Sequence, residues 1–290
     1  MLGKLCKYEF KSICRTLFPI YIAVLAVSVL MSITLGIDSM GRNNMVNEYE
    51  FYMGSNTNIY EIFLGVISIA YFAIIVALFV ITVVIILQRF YKGLLGDEGY
   101  LMFTLPVKTW ELITAKGITA IVMSFASLVV SALSIFIIGV GAIPNKMDFI
   151  RAFFSMTNWH KWIEALNYYY PKWPIYTFEV IILMIVCGIA SLYQIYVSIA
   201  IGHMARRRRV MMSVVAYIVI SMALSFLNMI VITVLNRGLN NMFVDFVYNA
   251  DAVNVAINTF LISNIIFAII QAVICFIGTE RILSTKLNLE

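Results

Sequence analysis

The chain is 290 residues long, 62% hydrophobic, 14% aromatic and only 12% charged, with a formal net charge of +5. Soluble domains carry about 25% charged residues, so this composition excludes an ordinary soluble enzyme, a disordered chain and a disulfide-rich secreted domain. Its long apolar runs also exclude a membrane β-barrel, which alternates polarity over short strands.

Six stretches contain no Asp, Glu, Lys, Arg or His: 16–37, 62–88, 117–145, 180–202, 210–236 and 252–279, together 156 residues. One helical crossing of a hydrocarbon core about 30 Å thick takes about 20 apolar residues. In lipid every backbone N–H and C=O must be satisfied within its own segment. The prediction is an all-α membrane protein of six transmembrane helices, a single membrane domain over 1–290.

Ahead of the first crossing, Leu2, Leu5, Cys6, Phe10, Ile13 and Leu17 recur every three or four residues, and Lys4, Lys7, Lys11 and Arg15 follow the same interval on another face. This pattern predicts an N-terminal amphipathic helix lying in the membrane interface. Pro19 sits where a bend into the first crossing is tolerated. A secretion signal has an apolar region of about 7 to 15 residues and a small-residue cleavage site. This stretch is longer and runs into Leu35-Gly36-Ile37-Asp38, so it is expected to remain as a spanning helix.

The link between the second and third crossings contains Gly96-Asp97-Glu98-Gly99-Tyr100-Leu101-Met102-Phe103-Thr104-Leu105-Pro106. Gly96 permits a tight turn, Asp97 is a good N-cap, and Glu98 suits the positive end of a short helix. Pro106 disfavours helix at Leu105 and separates that short helix from the third crossing. Leu101, Met102, Phe103 and Leu105 are too apolar to face water without a partner.

The third crossing carries Ser124, Ser127, Ser131 and Ser134 on one face, a stripe that lets helices approach closely, so packing is its default reading. Residues 146–179 follow, with Trp159, Trp162, Tyr168, Tyr169, Tyr170, Trp173 and Tyr176. Such rings prefer the headgroup level, which predicts a surface helix broken by Pro171 and Pro174; a lid over an exit pathway is the sharper alternative. The fourth crossing carries Ser191, Gln194 and Ser198. A short link with Arg206, Arg207, Arg208 and Arg209 then predicts a hairpin pinned to anionic headgroups. His203 reads as an interfacial residue. The fifth crossing has Ser213, Tyr217, Ser221, Ser225 and Asn228, again read first as packing, and residues 237–251 form a short, weakly amphipathic link. The sixth carries Asn264 and Gln271. Amides in lipid need partners, so Gln194, Asn228, Asn264 and Gln271 are expected to face other helices or a cavity and to border a substrate path.

Charge sets the orientation. The N-terminal tail, the second-to-third and fourth-to-fifth links and the C-terminus hold fourteen of the 20 basic residues. The opposite side has six, with nine of the fifteen acids. The positive-inside rule places both termini in the cytoplasm. The basic balance thus reports topology and contact with anionic lipid, and no nucleic acid is expected. Cys6 and Cys14 fall in the tail, Cys187 and Cys275 within crossings, so neither a disulfide nor a metal site is expected. Deep ionisable groups, usual in ion-coupled transporters, are absent from the six stretches. The sequence has no GxxxxGK(S/T) phosphate loop. Its two histidines, His160 and His203, lie on opposite sides, and no enzymatic activity or cofactor is expected in this chain.

Glu98-Gly99-Tyr100-Leu101, followed by Thr104-Leu105-Pro106-Val107 and by Lys116 at the start of the third crossing, resembles the cytoplasmic motif of ABC-2-type permease subunits of bacterial ABC exporters. The motif covers about 20 residues, and the six crossings with inside termini resemble the family over the full length. Lys108 departs from it, because a small polar residue is frequent there. The resemblance implies that Asp97, Glu98, Gly99, Tyr100, Leu101, Met102, Phe103 and Leu105 form a coupling helix that docks on a separate ATPase subunit. It further implies that ATP and Mg are bound by that partner, and that two permeases, identical or sibling, pair in the plasma membrane. The cargo would be a hydrophobic or amphipathic peptide, drug or lipid. Read without the resemblance, the residues leave open a non-transporting sensor or scaffold, and an energy-independent channel or carrier.

Overall fold

The computed structural model describes residues 2–45, 59–95, 108–143, 146–205, 208–243 and 250–285. All regular structure among them is helical: α1 (Leu2–Met45), α2 (Ile59–Phe90), a π-helical turn (Tyr91–Leu95), α3 (Thr109–Ala142), α4 (Lys146–Phe154), α5 (Met156–Tyr169), α6 (Trp173–His203), α7 (Arg209–Phe243) and α8 (Ala250–Thr285). Among the described residues, α1, α2, α3, α6, α7 and α8 are long and apolar enough to cross a membrane, and the chain is a multi-pass membrane protein.

Except at the end of α3, the helices outrun the charge-free stretches, since a helix longer than the hydrocarbon core extends its charged ends into the headgroups. α3 starts at Thr109, directly after Lys108, whose carbonyl accepts a hydrogen bond from the Glu111 amide at 2.9 Å. α7 continues past Arg237 to Phe243, so the expected link over 237–251 begins as helix. The surface helix is broken before the fourth crossing as expected: α5 ends at Tyr169, Pro171 occupies the turn that follows, and Pro174 lies in the first turn of α6, where its fixed φ suits a helix start.

The N-terminal segment and the first crossing are continuous. Residues 2–45 form one helix of 44 residues that includes Pro19, so no helix end separates an interfacial piece from a crossing. Its two faces are as patterned for the basic residues, with Lys4, Lys7, Lys11 and Arg15 exposed and Ile13 and Leu17 buried. Glu9 rather than Phe10 takes the inner position in the second turn.

The packing divides the chain into two compact units. One comprises Cys6–Leu87 and Val122–Ile163, the other Met1–Leu5, Gln88–Ile121 and Glu164–Glu290. The first has a core of Ile13, Leu17, Ile85 and Met123, with Cys14, Ile20, Tyr21 and Ile81 packed against it. Ser127 of α3 shares hydrogen bonds of 2.9 Å with both Tyr21 of α1 and Thr82 of α2, and Ser134 shares one of 2.8 Å with Tyr71. Gly141 leaves room for the backbone of Ser32, where a side chain would collide. In α4 and α5, Trp159 donates its indole N–H to the Phe153 carbonyl at 2.6 Å.

In the second unit, α6 packs along both α7 and α8. The α6–α7 hairpin is tight. Arg208 adopts a left-handed φ of 57°, and Gly202 lies against the backbone of Ser213, a contact that admits no side chain. Arg209 meets His203 at 3.3 Å across the turn. Near the other end of α6, Tyr176 donates to the Asn254 side-chain carbonyl at 2.8 Å.

Candidate functional site

A cavity of about 310 Å³ lies among α6, α7 and α8, lined by Gln194, Tyr217, Ser221, Leu224, Ser225, Asn228, Phe267 and Gln271. Helical spacing explains the α7 contribution. Tyr217, Ser221, Ser225 and Asn228 are separated by four, four and three residues, one face of a helix, covering about 16 Å along its axis. Gln194 is 7% exposed and engaged at both ends of its amide. Its carbonyl accepts from the Gln271 amide at 2.8 Å, and its N–H group donates to Ser221 at 2.6 Å. One buried amide thereby ties the three helices together.

Three of the four amides expected to border a path, Gln194, Asn228 and Gln271, line this one cavity. Asn264 does not join them: its amide turns back along α8 and donates to the Phe260 carbonyl at 2.8 Å. Tyr217, Ser221 and Ser225 had read as part of a packing stripe. The signal for a cavity was present in the sequence as the amides facing that stripe, but which helices meet is not a local property.

The residues expected to couple to an ATPase, Asp97, Glu98, Gly99, Tyr100, Leu101, Met102, Phe103 and Leu105, lie outside the described residues. Both flanks of that segment are described, and each contributes buried residues to the second unit. Phe90 and Leu94 on one flank, and Leu112, Ile113 and Ala115 on the other, are fully buried. The Phe90 ring stacks on Tyr196 of α6 with centroids 3.9 Å apart and planes 11° from parallel. The Tyr196 hydroxyl in turn donates to the Lys116 carbonyl at 3.4 Å.

Lys116 itself is 4% exposed, and its ammonium donates to the Arg89 carbonyl at 3.3 Å, at the C-terminal end of α2 where a positive charge is favoured. Gly93 makes space for it, because a Cβ there would sit 2.5 Å from the Lys116 nitrogen. Sequence reading counts Lys116 among the basic residues of a link and as part of a motif. Its burial as a cap on the preceding helix was not visible, since it depends on the π-helical turn bringing Gly93 to it.

Among the described residues no group of His, Cys, Asp and Glu is arranged to hold a metal ion, and Cys6, Cys14, Cys187 and Cys275 are free thiols. Compared with family models, with curated proteins and with solved structures, the chain matches none.

Proposed function

We propose that the chain is the membrane-embedded permease subunit of an ATP-driven exporter of the ABC-2 type. A separate ATPase subunit binds ATP and Mg and docks on the segment from Asp97 to Leu105; this chain has no nucleotide site of its own. A second permease, identical or sibling, completes the pathway in a bacterial plasma membrane, with both termini in the cytoplasm. The cargo is a hydrophobic or amphipathic molecule, and Gln194, Asn228 and Gln271 lie on its path, with Asn264 further along α8.

The observation that carries this reading is that one helix serves both places. α6 holds the two flanks of the docking segment through Tyr196, and two residues away, about 3 Å along the axis, it presents Gln194 to the cavity. A force applied by an ATPase to the segment would reach the cavity through the Phe90–Tyr196 stack and α6 itself. Transport then needs only two packings of α6 against α7 and α8 that are close in energy and biased from the cytoplasmic side. The Gln194 hydrogen bonds are the contacts that such a change would break and remake.

Purification of the tagged chain from its own membrane in mild detergent tests the proposal. A nucleotide-hydrolysing subunit is expected to co-purify, and to be lost from the double variant Leu101→Glu, Phe103→Glu while that variant stays in the membrane. Recovery of the chain with no such companion, or an undiminished companion on the double variant, contradicts it.

A further inference from the structure

We infer that the α6–α8 cavity is a binding site for an uncharged ligand group that both donates and accepts hydrogen bonds, an amide or a hydroxyl carried on an apolar body. The inference deepens the proposal above by naming what the path recognises. It rests on that reading only for the conclusion that the ligand is cargo.

The chemistry follows from which polar atoms are already used. Gln194 is spent on Gln271 and Ser221, so it positions the others. Gln271 has given one N–H and keeps its carbonyl oxygen and a second N–H. Ser221 has accepted a bond and keeps its hydroxyl proton. Tyr217, Ser225 and Asn228 make no side-chain hydrogen bond among the described residues, yet all three line the cavity. The wall therefore offers open acceptors at Gln271 and Asn228, and open donors at Gln271, Asn228, Ser221, Ser225 and Tyr217.

Open amides within a membrane-spanning helix are costly against hydrocarbon, so the arrangement calls for a partner that supplies both kinds of group. Water or a ligand meets that need; an acyl chain does not. Among the described residues no carboxylate, ammonium, guanidinium or imidazole lines the cavity. A charged group entering it would lose its hydration with no counter-charge to offset the loss, whereas a neutral amide or hydroxyl can exchange its water bonds one for one. Leu224 and Phe267 add an apolar wall for the part of the ligand next to the polar head. The volume, about 310 Å³, stands at the lower end for ligand pockets, so the site takes one head of a larger amphiphile or a short length of peptide.

The test uses the full chain in lipid nanodiscs, without any ATPase, and four photoreactive probes that share one diazirine-bearing alkyl chain. Their heads are a glucoside, a capped dipeptide amide, a phosphate and a trimethylammonium. Saturable labelling of residues 217–228 or 267–271 by the glucoside or the dipeptide is expected, with the phosphate and trimethylammonium probes labelling there about tenfold less. The stronger neutral probe identifies the source of the group, a sugar-like hydroxyl or a peptide amide. Asn228→Leu and Gln271→Leu should each lower neutral labelling about tenfold, the worth of one or two hydrogen bonds. Because a leucine at either position also changes packing, Gln271→Glu provides a second reading at constant size: neutral labelling falls and trimethylammonium labelling rises.

Equal labelling by charged and neutral heads, or labelling that none of these variants changes, overturns the inference. So does an absence of saturable labelling with all four probes. No nucleotide enters the assay, so any of these results leaves the ATPase association to stand or fall on its own, and failure to find an ATPase leaves a labelled cavity intact.

Discussion

Ser127 on α3 and Ser225 on α7 belong to two stripes that look alike in the sequence, yet their surroundings are opposite. Ser127 is buried between a tyrosine from α1 and a threonine from α2, each at 2.9 Å, and Ser134 repeats the pattern with Tyr71. Ser225 faces a cavity with Asn228 and Tyr217 beside it. The difference lies in what the neighbouring helices bring. On α1 and α2 the facing groups are hydroxyls that close directly onto the serines. On α6 and α8 they are the long amides Gln194 and Gln271, which meet each other and leave space beside them. A serine stripe thus specifies that helices come near, and the partner residues decide whether the interface closes or stays open.

The largest effect is expected from placing the same bulky side chain on each stripe. Ser127→Leu overfills a closed interface and should cost about 3 kcal/mol, lowering the melting temperature of the chain in nanodiscs by several degrees. Ser225→Leu enters open space and should leave the melting temperature nearly unchanged. Equal losses at the two sites would show that the α7 stripe is packed as tightly as the α3 stripe.

A smaller effect marks the point where the α7 stripe does close. Ser213 begins that stripe and lies against Gly202, so Gly202→Ala forces a methyl group into backbone and should cost about 2 kcal/mol by the same thermal measurement. Gly188→Ala on the same helix meets nothing within 4 Å and serves as the neutral comparison. If the two alanines behaved alike, the tight hairpin would not be a fixed feature of the unit.

Much of the fold was legible because its cause is local. The six charge-free stretches had to be helical in lipid, and each lies within one of the six long helices except the third, which extends to residue 145 where α3 ends at Ala142. The helix ends were less legible: charge marks where lipid stops, whereas a helix stops only where its backbone bonds do, as α7 beyond Arg237 illustrates. Pro19 lies inside α1 without ending it, since a single missing N–H can be carried within a long helix held by tertiary contacts. The cavity was half legible. Amide cost pointed to Gln194, Asn228 and Gln271, but the same argument included Asn264, which satisfies its amide on its own helix. The link from Phe90 through Tyr196 to Lys116 had no sequence signature, because stacking and a buried lysine depend on three separated segments meeting.

The proposal that α6 transmits force from an ATPase to the cavity is tested most directly by the reactivity of a cysteine placed at the cavity wall. Ser225→Cys, in a chain with Cys6, Cys14, Cys187 and Cys275 replaced, would be reconstituted with its co-purified ATPase and treated with a water-soluble maleimide. Modification is expected to proceed at clearly different rates with and without ATP and vanadate, and that difference should vanish when Tyr196→Ala removes the stack on Phe90. Rates that are the same in both nucleotide states of the intact complex would contradict the account.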